Sequence, residues 1–363
     1  MSRTKLLFLI GDYGTGGKER QLTEIIRSLP KTKYQINLFM KCSTSYYFDT
    51  IIDHLNSWHS LHKSHFNLLD IFSFKRFVKT VNPDVLFSFS TTLSHYALVL
   101  KLLGGFHYRI LNGSIRDAPV KLNFHHRVER VLYNFYNELI TNSYAGLKSY
   151  RQENKRGRTV LYNGFDMNRI PIISKAKLRK RFRINESFSV GMVARMDSEK
   201  DQETFIRAAK EVFNLDNRVK YYIVGDGPKM DQYRALAQSL MLNSHVTFLG
   251  EINEVENFLK AADISVLTSG SSHGEGIPNV LLESLACGTP VIATDNGGTS
   301  EILMNNENGY LIKNGDYKEL AKKILFLKNN PDILRSFSNN GVETIRNHFS
   351  IEKMISEFEL IIP

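Results

Sequence analysis

The chain has 363 residues, 42% of them hydrophobic and 23% charged, with 23 glycines and 9 prolines scattered along it. Domains typically run ~100–200 residues, so two domains of similar size are expected, while a single small module, a disordered chain and a fibrous repeat are excluded. No apolar run approaches the ~18–20 residues of a membrane-spanning helix: Lys101 interrupts Ala97–Leu103, and Leu6–Ile10 has only five residues. That run is also too short for a signal-peptide core. Cys42 and Cys287 are too far apart in sequence to suggest a disulfide framework or a zinc site. A cytoplasmic protein is expected.

The net charge of +10 is unevenly divided, because residues 1–183 hold 30 basic and 12 acidic side chains and the remainder 17 and 25. A basic first half suits an anionic surface or substrate. Nucleic acid is not the expected partner, since no helix-turn-helix, RNP or finger pattern accompanies the charge.

Short apolar runs alternate with helical stretches, the pattern of an α/β protein with parallel strands. Lys5–Ile10 reads as a strand, Lys18–Leu29 as a helix, and Gln35–Met40, Val85–Ser88, Tyr108–Leu111 and Leu139–Thr141 as further strands. The stretch 165–186 is polar and strongly basic; within it Lys175–Arg183 suits a short solvated helix or linker, and a domain boundary is expected there. Strands then resume at Ser189–Val193, Lys220–Val224, His245–Phe248, Ile264–Leu267 and Pro290–Thr294. Helices fall between them at Asp201–Phe213, Lys229–Leu240, Val255–Ala261 and Asn279–Cys287. Asp332–Ile362 has helical periodicity without strands. Two Rossmann-like units are expected, over 1–170 and 171–345, with 346–363 packing back toward the first.

Gly11–Asp–Tyr–Gly14–Thr–Gly16–Gly17 joins the first strand to the first helix. Glycines there, Gly16 and Gly17 above all, let N–H groups approach a ligand at the positive end of a helix dipole; a tight turn that merely needs glycine is the alternative. As a dinucleotide fingerprint the segment is poor, because its spacing is irregular and the second strand ends in Met40–Lys41 where an acid for the ribose belongs. Arg195 and Lys200 follow the strand Ser189–Val193, where open α/β sheets bind ligands, and two such cations suit a diphosphate and the charge that grows on it as a leaving group. Gly225–Asp–Gly–Pro ends the next strand on the same edge.

The most informative segment is 271–292. Pro278 suits a first helical turn, Gly288 is placed to end the helix, and Pro290–Val–Ile–Ala resumes a strand. Glu275 then lies in the loop before the helix, and Glu283 about 7.5 Å along the axis from Pro278 at 1.5 Å per residue. The N–H groups of Gly276, Ile277, Asn279 and Val280 would lie between the two carboxylates, an arrangement able to hold phosphate while each carboxylate accepts hydrogen bonds from hydroxyls. Glu275 as a helix-start charge and Glu283 as a solvated residue is the plainer alternative.

Taken together, the glycine-rich loop, Tyr162–Asn–Gly–Phe–Asp166, the Arg195/Lys200 pair, Gly225–Asp–Gly–Pro, and Glu275 and Glu283 followed by Ala286–Cys–Gly–Thr–Pro–Val–Ile resemble, in order and over nearly the whole chain, a retaining glycosyltransferase of the GT-B fold, family 4. The resemblance implies two Rossmann-like domains facing each other across a cleft. It further implies Glu275, Arg195 and Lys200 as catalytic residues, with the donor contacted by Gly16, Gly17, Gly225, Gly276, Ile277, Asn279, Val280 and Glu283, the last through the ribose. The donor would be a UDP- or GDP-linked sugar, with no further cofactor, and the reaction a hexosyl or N-acetylhexosaminyl transfer.

One departure from the family pattern stands out. After Tyr108–Leu111 many members carry a His–Asp, whereas this chain reads Asn112–Gly–Ser–Ile–Arg116–Asp117. Either Arg116 takes over phosphate or acceptor binding or the acceptor chemistry differs, and Asn112, Ser114 and Arg116 are the candidate acceptor contacts. The chain contains no Asp-x-Asp of the metal-holding kind, and no metal is expected, because the basic pair and the helix terminus stabilise the leaving charge. The acceptor implied is a glycan or glycolipid, lipid-linked or of lipopolysaccharide or capsule type, met peripherally at the inner face of the cytoplasmic membrane. A nucleotide-sugar epimerase and a non-catalytic nucleotide-sugar-binding protein remain alternatives on the same fold.

Overall fold

Parallel strands covered on both faces read as nearly unbroken apolar runs, and the first strand, with Leu6–Ile10 almost wholly buried, is of that kind. The computed structural model describes residues 3–362 apart from 15, 44, 45, 64, 66 and 185–187. It divides into two compact units, residues 1–164 with 351–363, and residues 165–350.

The first unit is a sheet of seven strands, β1 (Thr4–Tyr13), β2 (Tyr34–Ser43), β3 (Ser57–Ser60), β4 (Val85–Ser88), β5 (Arg109–Asn112), β6 (Glu138–Thr141) and β7 (Arg158–Val160). All pair in parallel in the order β3-β2-β1-β4-β5-β6-β7. Its helices are α1 (Gly17–Ser28), α2 (Tyr46–Asp49), α3 (Asp70–Val81), α4 (Thr91–Leu103), α5 (Phe124–Leu132) and α6 (Tyr144–Ser149). The second unit begins with α7 (Lys175–Arg181) and contains β8 (Phe188–Val193), α8 (Gln202–Leu215), β9 (Val219–Val224), α9 (Met230–Ser239), β10 (Val246–Gly250), α10 (Val255–Ala261), β11 (Ile264–Leu267), α11 (Asn279–Ala286), β12 (Val291–Thr294), β13 (Gly309–Ile312), α12 (Tyr317–Asn329) and α13 (Pro331–His348). Its six strands, again all parallel, run β10-β9-β8-β11-β12-β13.

Strands β3, β7 and β13 were not expected from the sequence. All three lie at sheet edges; β3 and β7 are short and partly solvated, so Ser57–Trp–His–Ser and Arg158–Thr–Val carry no apolar run to betray them, while β13 is short but largely buried. Gly11 belongs to β1 rather than to a turn, because the ladder with β2 continues to Asp12↔Cys42 and Tyr13↔Ser43.

Within the basic stretch 175–183 the short helix allowed by the sequence is present as α7 with most of its side chains exposed, but it is anchored rather than loose. Leu178 on α7 is fully buried, and Asp263 takes both Lys175 and Arg179 at 2.9 Å. Asp263 also accepts hydrogen bonds from the backbone and hydroxyl of Ser189 at the start of β8. Burial pushes the Asp263 carboxyl up, but Lys175, Ser189 and Arg179 outweigh it and leave it below the usual carboxylate range. These bases belong to the second unit and are partly neutralised there. By unit, the first carries 24 basic and 14 acidic side chains and the second 23 of each, so the whole net charge resides in the first.

The last helix, α14 (Ile351–Ile361), returns to the first unit. Phe358, fully buried, stacks on Phe87 at 5.4 Å and Phe8 at 6.2 Å, and Met354 and Ile355 pack into the same core as α1. Its polar edge is pinned by Glu359, which accepts from Lys33 at 3.1 Å and from the Tyr34 hydroxyl at 3.0 Å. Removing a buried phenyl from such a core costs ~3–5 kcal/mol. Phe358→Ala is therefore expected to lower the stability of the first unit by that amount in equilibrium unfolding followed by Trp58, the chain's single tryptophan and a member of β3.

Candidate active site

In the second sheet β8 and β11 are neighbours whose connections depart to opposite sides, β8 through α8 to β9 and β11 through α11 to β12. Their carboxyl-end loops part at the point where open α/β sheets bind ligands. The two loops, residues 194–201 and 268–278, are tied together. Asp201 N donates to Thr268 O at 3.0 Å, Gly270 N donates to Glu199 O at 2.8 Å, and Lys200 and Ser269 form an antiparallel bridge. Asp197 folds the first loop by accepting from the N–H groups of Glu199 and Lys200, and Asp201 caps α8 through Thr204 N at 3.0 Å.

This arrangement brings Lys200 onto Glu275. The Lys200 ammonium donates directly to Glu275 Oε1, which also accepts the Ser269 hydroxyl. Both partners are largely buried, Glu275 at 6% exposure. Burial pushes the Glu275 carboxyl up, but Lys200 and Ser269 overcome that, so it is ionised below the usual glutamate range. The backbone is equally constrained. Gly298 N donates to Glu275 O at 2.8 Å, and Gly297 sits at φ +60° with the place of a Cβ 2.1 Å from that oxygen. Only glycine fits there. The sequence reading missed Ser269 and Gly297, although Asn296–Gly–Gly is a turn signature that could have drawn attention.

Helix α11 follows at once. Pro278 is its N-cap, one residue earlier than a first-turn position, and no side chain caps the helix. Asn279 and Val280 form its first turn, and Gly276 and Ile277 are buried in the approach. Glu283, at 3% exposure, is buried rather than solvated. Gly288 ends the helix at φ +70°, where Cys287 N donates to Glu283 O and Gly288 N to Leu285 O. Helix α13 backs α11 closely: a Cβ on Gly341 would lie 2.8 Å from the Leu285 side chain, and Ser338 donates its hydroxyl to Gly288 O.

The other expected site residues make local contacts within their own units. Arg195 is 73% exposed and pairs within its own loop with Asp197 at 2.9 Å and Glu199 at 3.2 Å. Gly225, at φ +125°, and Gly227 are required by the β8 loop, since their Cβ positions fall 2.2 Å from Ala194 O and 2.5 Å from Met196 O. In the first unit Gly16 is the N-cap of α1 and Gly17 its first residue. Asn112 and Ser114 are joined, the amide oxygen of Asn112 accepting the Ser114 hydroxyl at 2.7 Å. Arg116 lies over Phe89 at 4.4 Å and donates Nε–H to Gly113 O at 3.0 Å, and its Nη1 is 3.5 Å from Asn163 Oδ1. Its Nη2 is out of solvent with no hydrogen-bond partner among the described residues, and burial pulls the guanidinium down to about 10.

Residues 174–344 match the family model described as Glycosyl transferases group 1. EpsD of Bacillus subtilis is 30% identical over 258 residues, 69% of this chain and 65% of EpsD, so the match spans just under two thirds of that relative. LpsE of Rhizobium meliloti, a lipopolysaccharide core biosynthesis glycosyltransferase, is 25% identical over 349 residues, 94% of each chain. The crystal structure of Anabaena HepE in complex with UDP and glucose superposes with a TM-score of 0.86, at 22% identity and covering 99% of both chains, which establishes the shared fold.

Stripping one partner from a buried ion pair costs ~3–5 kcal/mol because a charge is left without compensation. Lys200→Met is thus expected to destabilise the second unit by about 3 kcal/mol at pH 7. The Glu275 carboxyl lies below its unfolded value in the native protein, so its contribution is present above the unfolded pKa and is lost as pH falls through the folded one. Without Lys200 its burial would instead raise that pKa. The gap between the two proteins should accordingly narrow as pH is lowered from 7 through the carboxylate range in denaturant titrations.

Proposed function

The chain belongs to the group 1 glycosyl transferases and has the GT-B fold, and from that premise we propose that it moves a sugar from a nucleotide diphosphate-sugar to a hydroxyl of a glycan acceptor with retention of anomeric configuration. The observation that carries the proposal is the buried Lys200–Glu275 pair at the carboxyl end of β8 and β11, next to the uncapped start of α11. An ionised carboxylate fixed by an ammonium, beside the N-terminal turn of a helix, suits a substrate that carries both hydroxyls and a diphosphate.

In this reading the bond between the anomeric carbon and the phosphate oxygen breaks with its electron pair leaving on the nucleoside diphosphate. Lys200 stabilises that charge, helped by the N–H groups of Gly276, Ile277, Asn279 and Val280. Arg195 joins them by leaving Asp197 and Glu199, an exchange that costs little because exposed ion pairs are worth ~0–1 kcal/mol. Glu275 accepts hydrogen bonds from the sugar hydroxyls and faces the positive charge growing at the anomeric carbon, while Glu283 takes the ribose. The acceptor oxygen bonds to the same face of the sugar, and its proton passes to the departing phosphate oxygen. Protein cations and amides supply the charge stabilisation, so no step is routed through a metal ion.

The acceptor is assigned to the first unit, at Asn112, Ser114 and Arg116. A desolvated guanidinium with an unsatisfied nitrogen suits an acceptor bearing an anionic group. HepE is crystallised with UDP and LpsE acts in lipopolysaccharide core biosynthesis, which favours a UDP-sugar donor and a lipid-linked or lipopolysaccharide-type acceptor here.

A panel of UDP- and GDP-sugars, read by transfer, hydrolysis and thermal stabilisation, with the product anomer assigned by NMR, tests the proposal. Glu275→Ala and Lys200→Ala should each lower turnover by ~10²-fold or more, and EDTA should leave the rate unchanged; near-normal turnover in both variants would remove the assigned site. Arg116→Met should weaken use of the acceptor at least tenfold while donor affinity stays within twofold. Its melting temperature should fall only slightly, since Arg116 is partly buried and the apolar side chain keeps its packing on Phe89 while giving up the hydrogen bonds to Gly113 and Asn163; a large fall would make Arg116 a structural residue instead.

A further inference from the structure

The two faces of the first sheet are finished differently. One carries α1 and α14, whose apolar sides are closed in the core with Phe8, Phe87 and Phe358. The other carries α3 and α4, whose inner residues Phe74, Val78, Leu93 and Ala97 join Tyr133 and Tyr136, just after α5, in a separate core. Helix α5 is docked beside α4 through His95, whose Nε2 is 3.1 Å from the buried Glu129. Tyr96 on α4 reaches Asn67 O, just ahead of α3, at 2.9 Å. These three helices thus form one layer.

The outward side of that layer is apolar where a soluble surface would be polar. Phe124, Val128 and Val131 are exposed at i, i+4 and i+7 along α5, Phe124 to 82%, with Val120 and Phe135 exposed just before and after it. Val99, Leu102 and Leu103 are exposed on α4, Leu103 to 85%, and Leu68, Leu69 and Phe72 at the start of α3. Of the 21 large apolar side chains exposed among the described residues, these account for 11. Single exposed apolar residues need no explanation, but a concentration of this kind marks a binding surface.

Charge decides what binds. Lys75, Arg76, Lys79, Lys101, Arg127 and Arg130 on these helices all reach solvent. The helices contain two acids, Asp70 and Glu129, and both are buried, one against Lys63 at 2.7 Å and the other against His95. An apolar stripe flanked by bases, with no exposed acid, is the surface of a helix layer that lies in a lipid interface. No helix among the described residues is long and apolar enough to cross a membrane.

We infer that the α3–α4–α5 layer is a docking surface for an anionic lipid bilayer, with α5 seated at the headgroup level through Phe124, Val128 and Val131 and held by Arg127, Arg130 and the bases of α3. The inference extends the lipid-linked acceptor proposed above, yet it concerns a surface that the donor chemistry does not touch.

Vesicle flotation of the full chain tests it. With vesicles of phosphatidylcholine containing about one third phosphatidylglycerol at low salt, the protein should float with the lipid. Binding should fall at least tenfold for Phe124→Glu with Val131→Glu and, separately, for Arg127→Glu with Arg130→Glu, and should be lost on pure phosphatidylcholine or at high salt. Leu215→Glu, at an exposed apolar position of the second unit, should bind as the parent does. Absence of binding to anionic vesicles, or binding by either double variant equal to that of the parent, would overturn the inference. Donor binding measured without vesicles reads the transferase proposal separately, so either can fail while the other stands.

Discussion

A buried ammonium and a buried carboxylate hold the second unit's site together, and most of what surrounds them follows from the cost of placing them there. Neither Lys200 nor Glu275 could be desolvated alone. The pair survives because Ser269 adds a hydrogen bond and because two loops are stitched into a bridge that leaves the side chains no other geometry. The topology supplies the opportunity: in the second sheet the connections leave in opposite directions at β8 and β11, the place where open α/β sheets bind ligands.

Glycines do the corresponding work on the backbone. Gly297 allows a second chain segment to lie against Glu275, Gly225 and Gly227 allow another to lie against Ala194 and Met196, and Gly341 lets α13 press on α11. The loops carrying the chemistry are thereby braced from three sides. Arg195, by contrast, sits in solvent with exchangeable partners. The candidate site is therefore graded, rigid at the Glu275 carboxylate proposed to face the sugar and adaptable at the Arg195 guanidinium proposed to meet a phosphate.

Much of this was legible in the sequence because parallel strands are buried and so announce themselves. Ile264–Leu267 and Val255–Ala261 appear in the structure with the limits that their apolar runs suggest, and the Pro278 to Gly288 punctuation marked α11 to within a residue or two. The edge strands β3 and β7 escaped because burial, the source of the signal, is weak there, whereas β10, also at an edge, was found and β13 was missed although it is largely buried. The basic run at 175–183 gave its short, mostly exposed helix but not the anchor of that helix: composition reports charge, not its partner, and Asp263 lies far along the chain. The contact of Lys200 with Glu275 has the same long-range character. Sequence order placed each residue at a strand end, while their meeting depended on Ser269 and on loops whose pairing no local pattern encodes.

Helix α14 also makes the first unit discontinuous, with the whole of the second unit encoded inside it. As the polypeptide emerges from the ribosome, residues 165–350 have everything they need to fold before 351–361 exist, whereas the sheet made earliest must wait with the seat of Phe358, between Phe8 and Phe87, uncovered. The oldest part of the chain is thus the last to be finished. Truncation after Ser350, which removes α14, would spare the second unit and leave the first with an open apolar face, a natural client for chaperones and proteases.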